Sequence, residues 1–170
     1  MDKRWIYFII ILVIGFSGLY YIVGTSTTVG SAIVGINSFT LTVPDSFNIE
    51  NNDHGFASLI NRQTKEYLVI KDLGKNKPVD ENFDKEASSI ESNENYMIIN
   101  NTTENYHDMD SKVMYYKTAD NNTLYKFSVF TKFNHTFSIR SANFLRVDTL
   151  NDKTHFVMDT LNQDYKKSQN

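Results

Sequence analysis

The chain has 170 residues, 41% of them hydrophobic, with a net charge of −3 and no cysteine. That length and apolar content fit one domain with an appendage. The acidic balance, with no basic run beyond Lys3-Arg4, argues against nucleic acid as a partner, because phosphate binding needs a concentrated basic surface. The lack of cysteine excludes disulfides, thiolate metal sites and a cysteine nucleophile.

Residues 5–23, WIYFIIILVIGFSGLYYIV, form a 19-residue stretch without charge, interrupted by Ser17 alone among small polar residues. As a helix rising 1.5 Å per residue it nearly spans the ~30 Å hydrocarbon core of a bilayer. It is also longer than the ~7–15-residue apolar region of a removed signal. Residues 1–24 therefore read as a single-pass anchor or an uncleaved signal, with small residues at Val29, Ser31 and Ala32 leaving a cleavage site open. Lys3 and Arg4 precede the stretch while residues 24–37 carry no charge. The positive-inside rule then places the N-terminus in the cytoplasm and the C-terminal domain outside the cell membrane. Residues 25–35 read as a linker.

The domain is expected over residues 36–165, followed by a tail over 166–170. Phe39, Leu41 and Val43 alternate with Thr40 and Thr42, and Pro44 stops the strand. Residues 56–60 and 66–73 are two further strands joined by a short connection. A helix starts at Pro78-Val79-Asp80, with Asp80 as its cap and Val79, Phe83, Ala87 and Ile90 as its apolar stripe. Residues 96–99 read as a strand, and the polar stretch 100–111 receives no element.

Residues 112–118, 124–133 and 136–141 then form an antiparallel meander. Tyr125, Phe127, Val129 and Phe133 are expected on one face, continued by Phe137 and Ile139, with Lys126, Ser128, Phe130 and Lys132 on the other. A closing helix is read over 151–165 from Thr154, Val157, Met158, Leu161 and Tyr165, capped by Thr149 or Asn151. Three strands, a helix, about four strands and a helix make an α+β domain, an antiparallel sheet with helices on its faces.

No P-loop, G-x-G-x-x-G, G-x-S-x-G or H-E-x-x-H motif occurs. The strongest local constellation is His107-Asp108-Met109-Asp110. On a strand it would set Asp108 and Asp110 on one face as hard oxygen ligands for a cation, against the simpler reading of a solvated turn. His54, His135 and His155 lie in unrelated contexts and read as surface or partly buried histidines. Tyr115, Tyr116 and Tyr125 offer an aromatic platform for a ligand, although sheet core accounts for them more simply. Sequons at Asn100, Asn101, Asn121 and Asn134 are candidate glycosylation sites in an exported domain, in a composition rich enough in Asn, Ser and Thr to yield most of them by chance. The acidic residues of 80–94 read as a solvated helix face.

The strand F-T-L-T-V-P-D-S-F at residues 39–47, the helix at Asp80, the aromatic hairpin over 124–140 and the helix at Asn151 together resemble the PsbP/DcrB-like family. The likeness covers about residues 36–165. It implies an α/β/α sandwich, often held in the cell envelope behind an anchor or signal, and a mostly non-catalytic accessory role with no catalytic residue and no cofactor to carry across. Fold alone does not settle function.

The expected function is therefore a membrane-anchored extracytoplasmic binding or accessory module. Its partners would be the membrane, through residues 5–23, and an envelope protein or small ligand. The alternative is an exported metal-dependent hydrolase using His107, Asp108 and Asp110. A pilin-like subunit fits less well, since the apolar segment has no early acidic residue and no preceding processing glycine.

Overall fold

The computed structural model describes residues 32–119, 123–143 and 147–163. The expected anchor, the linker up to residue 31, the Asn121 sequon, Tyr165 and the tail lie outside the described residues. The elements are β1 (Ile33–Ile36), β2 (Phe39–Thr42), β3 (Asn48–Asp53), β4 (Phe56–Asn61), β5 (Glu66–Lys75), α1 (Val79–Glu91), β6 (Tyr96–Tyr106), β7 (Met109–Thr118), β8 (Leu124–Lys132), β9 (His135–Asn143), α2 (Val147–Thr160) and β10 (Asn162–Gln163). Among the described residues no helix is long and apolar enough to cross a membrane.

A seven-stranded sheet runs in the order β3-β4-β5-β9-β8-β7-β6, and a smaller one in the order β1-β2-β10. All of the strand pairs are antiparallel, as the short hairpin links require. The large sheet has two apolar faces. On one, Leu59, Leu68, Ile70, Phe130, Phe137 and Ile139 pack with Phe39 and Leu41 of the small sheet and with Val157 and Met158 of α2. On the other, Met114, Tyr116, Phe127 and Val129 receive Phe83, Ala87 and Ile90, the stripe that the helical spacing predicted for α1. The result is the α+β antiparallel architecture expected, with a helix on each face.

Several details depart from the expectation. The linker is read as extending to residue 35, but Ile33–Ile36 is a strand of the domain, with Val34 and Ile36 fully buried beneath its pairing with β2. Four residues with two inward positions are too short a pattern to show among small residues. β3, with sequence NIENND, is exposed throughout and has no apolar face to announce it. The same holds for most of β6, which absorbs the stretch 100–106 that received no element. Both are sheet edges, where backbone pairing on one side maintains the strand.

Phe137 and Ile139 do not continue the row of Phe127 and Val129. Phe137 lies directly opposite Phe130, whereas Phe127 lies opposite Arg140, and directly opposed residues share a face. The tight turn at Phe133 and Asn134, both in the left-handed region at φ 54 and 61, sets this register. Phe133 is consequently at the turn and exposed, its ring stacked near that of Phe39, and not in the inward row.

Asp80 is not the cap of α1. Pro78 occupies that position with φ −63 and no side-chain cap bond, while Asp80 sits in the first turn and pairs with Lys112 at 2.8 Å. α2 begins by Val147 and ends at Thr160, so Thr149 and Asn151 lie within it. It stops there because the chain turns to place Asn162–Gln163 against β2, with Leu161 buried on the way.

Candidate functional site

Several perturbed ionisable groups gather on the sheet face that α2 crosses, whereas Tyr116, pushed up by burial, lies on the α1 face. β7 and β8 place Tyr115 directly opposite Lys126, β6 brings Glu104 alongside, and the first half of α2 lays Asn151 over them. Lys126 Nζ donates to Glu104 Oε2 at 2.7 Å and to Asn151 Oδ1 at 2.8 Å. The Tyr115 hydroxyl lies 2.7 Å from both Glu104 Oε1 and Asn151 Oδ1, and its single proton serves one of them at a time. The Lys126 ammonium also sits 5.5 Å from the Tyr115 ring centre, within cation–π range. Lys126 is 1% exposed, and its position follows from strand parity, since Tyr125 and Phe127 on either side of it face α1.

The environment displaces each group from its ordinary value. Burial lowers the pKa of Lys126, with the bond to Glu104 acting against it. For Glu104, burial works upward but is outweighed by the bonds from Lys126 and Tyr115 and by the lysine charge, so the carboxyl is held below its usual range. Burial, then the bond to Glu104, raises Tyr115.

Next to this cluster, the His155 ring stacks on Tyr106 at 3.8 Å and 6°, the Tyr106 hydroxyl donates to Asp159 at 2.7 Å, and the His107 ring lies tilted 4.3 Å from that of Tyr106. Burial and the nearby Lys126 charge keep His155 below the ordinary imidazole value.

A buried lysine beside a serine would be a nucleophile with its base. Ser141 is directly opposite Lys126 on β9, but its Oγ makes no hydrogen bond among the described residues, and the lysine is committed to Glu104 and Asn151 on the other side. Ser141 instead lines a shallow cleft with Phe47, Leu68, Leu150 and Lys153, whose enclosed space of about 10 Å³ has room for no more than a water molecule. The cluster therefore fastens α2 to the sheet, with its bonds running among its own members.

His107 and Asp108 form the β6–β7 turn, both left-handed at φ 49 and 62, so they do not alternate along a strand as the candidate cation site required. Asp110 has begun β7 and accepts from Asn105 Nδ2 at 2.8 Å, while Met109 packs toward the core. Among the described residues no three His, Asp or Glu side chains are grouped closely enough to hold a metal ion. His54 is fully exposed beside Asp53, and His135 contacts Asp72.

Of the three tyrosines of the expected platform, Tyr116 and Tyr125 stack at 4.9 Å with Tyr96 against them on the α1 side, while Tyr115 belongs to the opposite face. Asn100 and Asn101 are exposed on β6, and Asn134 is exposed in its turn.

The cluster predicts an acid response with a definite sign. The lowered pKa of His155 makes the folded state resist protonation, so the stability present above about pH 6.5 falls as pH drops below the unfolded value toward the folded one. Glu104 adds a second loss below its unfolded value of 4.5. Urea midpoints measured from pH 8 to 4 should decline through both windows, and His155→Gln should flatten the upper one. An upper window unchanged in that variant would contradict the assignment.

No family model and no curated protein matches the chain. Among solved structures it is similar to a crystal structure from Bacteroides thetaiotaomicron VPI-5482, with a TM-score of 0.51 and 12% identity over 79% of this chain and 48% of that one. The chain thus spans about half the length of that protein. It is also similar to the solution structure of cyanobacterial PsbP (CyanoP) from Synechocystis sp. PCC 6803, with a TM-score of 0.44 and 14% identity over 74% of this chain and 86% of that one. At these identities the likeness reaches the fold alone, and the Bacteroides structure carries it, because a score of 0.44 adds no weight.

Proposed function

We propose that the chain is a non-catalytic binding or accessory module of the cell envelope, with a PsbP/DcrB-like domain held outside the membrane by residues 5–23. The observation that carries the binding role is the outer edge of the large sheet, where Met97, Ile98 and Ile99 of β6 are 51%, 37% and 53% exposed. Three neighbouring apolar side chains open to solvent on an edge strand, paired on its β7 side only, mark a contact surface, whereas the perturbed ionisable groups of the Lys126 cluster are turned inward onto one another. The uncharged N-terminal stretch and the basic pair before it support the anchor and its orientation.

Trypsin added to intact cells is expected to cut the domain, with Arg62 and Lys65 in the exposed β4–β5 turn as accessible sites. Full protection in intact cells, with cleavage only after lysis, would reverse the orientation and end the extracytoplasmic reading.

A further inference from the structure

We propose that the chain links itself covalently after folding, through an amide bond between Lys126 of β8 and Asn151 of α2, with Glu104 carrying the protons and Tyr115 holding the reacting oxygen. This reaction goes beyond the envelope reading and does not depend on it.

Such an exchange needs a neutral amine, a side-chain amide in contact with it, a proton carrier and a donor to the oxygen on which charge develops. The cluster supplies one residue for each part. Lys126 Nζ lies 2.8 Å from Asn151 Oδ1, which is one bond from the carbonyl carbon that the amine attacks. The neighbours fix the orientation of that amide, because an ammonium only donates, so the oxygen and not the nitrogen of Asn151 faces it. The Tyr115 hydroxyl, 2.7 Å from the same oxygen, is placed to donate to the negative charge that forms there. Glu104 Oε2, 2.7 Å from Nζ, takes the first proton. Burial favours the neutral amine on Lys126, and Tyr115, raised by burial, keeps the proton that it donates. Besides Glu104 of β6 and Tyr115 of β7, the charged or titratable group near the lysine is His155 of α2, held below the ordinary imidazole value by burial and then by the lysine charge.

The atoms balance without an oxidant or a co-reactant. The Nζ–Cγ bond forms, the Cγ–Nδ2 bond breaks, and of the three ammonium protons one stays on the new amide. The other two pass through Glu104 to Nδ2, which already carries two and leaves as ammonium with the carboxylate restored. The Glu104 side chain, 26% exposed, marks the way out. Freshly folded at pH 7 the chain is unlinked, with the four side chains hydrogen-bonded as they stand. Both reactants sit on packed elements, and this placement supplies the effective concentration that a free amine and amide lack. The link joins residues 25 positions apart and gives α2 a covalent fastening in a chain that has no cysteine.

The test uses the full chain in detergent micelles, folded at pH 7 and then held for days at about pH 9, nearer the ordinary lysine value of ~10.4. Its mass should fall by about 17 Da, that of the ammonia lost. Proteolysis should then release one branched peptide joining the segments that carry Lys126 and Asn151, and Lys126→Met should abolish it. Tyr115→Phe keeps the ring and removes the donor, so it should slow the linkage at least about tenfold with the circular dichroism spectrum retained. Glu104→Gln should slow it as much, and the tyrosine variant decides if the glutamine protein is not folded. Asparagine also loses ammonia by closing a succinimide on its own backbone, so the branched peptide and not the mass is decisive. Its absence from the parent chain, or its formation at the parental rate in Tyr115→Phe, would overturn the proposal.

Discussion

Replacing Glu104 by glutamine is expected to lower the stability of the domain by about 3 kcal/mol, the lower end of the range for breaking a buried ion pair, or roughly 10 °C in melting midpoint. The substitution leaves Lys126 with its side chain 1% exposed and only neutral oxygens, those of Asn151 and the new amide, to receive its protons. The low end of the range applies because the Glu104 side chain is itself 26% exposed, so water relieves part of the loss. Lys126→Met removes the buried charge and keeps the volume of the stem, and Glu104 can then turn to solvent, so this single change should cost less than the glutamine does. The double variant should lie well above the sum of the two, since the penalty of the first substitution is the charge that the second removes. Urea denaturation of all four proteins measures the coupling. A Glu104→Gln protein within ~0.5 kcal/mol of the parent would mean that Lys126 finds water or another acceptor, and that the cluster does not fasten α2 to the sheet.

The elements legible in the sequence were those with one buried and one open face. β2 announces itself through Phe39 and Leu41, and α1 through Phe83, Ala87 and Ile90, because burial on one side imprints a period. β3, exposed throughout, and the distal part of β6, exposed but for Glu104 and Tyr106, carry no such imprint. The face of β9 was misassigned because strand parity across a hairpin depends on the turn, and nothing in Phe133-Asn134-His135 marks a two-residue turn without glycine.

The Lys126 cluster follows the same logic. Parity alone placed Lys126 on the face opposite Phe127, but its anchor, Glu104, lies in the stretch that received no element. A lysine on a covered face calls for a carboxylate, and the choice among the available ones is a long-range matter. The HDMD constellation is not strung along a strand for a local reason: its first two residues turn in the left-handed region, which His and Asp enter more readily than most residues but too rarely for their presence to mark a turn.

Asp72 is the least legible of the residues that hold the fold, and its replacement by alanine is expected to cost about 2–3 kcal/mol. It lies near the end of β5, and nothing in its neighbours suggests that its side chain is 2% exposed. Its Oδ1 accepts from the backbone N–H of Gly74 at 2.9 Å and contacts Nδ1 of His135 at 3.1 Å, while Oδ2 accepts from Asn37 Nδ2 at 2.7 Å. One carboxylate thus ties the β1–β2 turn, where Asn37 is left-handed at φ 53, to the β5 bulge, where Gly74 has φ 111, and to the start of β9.

Alanine strands three donors, yet the loss stays below three full bonds because Asn37 is exposed and His135 partly so, and water can serve both. Asparagine tests the mechanism. Its oxygen can keep Gly74 and His135, and its NH₂ group would face Asn37, whose exposed amide is able to flip and present an oxygen instead. Asp72→Asn should therefore cost under ~1 kcal/mol where Asp72→Ala costs several-fold more, as read from urea midpoints at pH 7. Equal losses in the two variants would mean that the negative charge holds these three segments together, and a neutral alanine would mean that backbone pairing alone does.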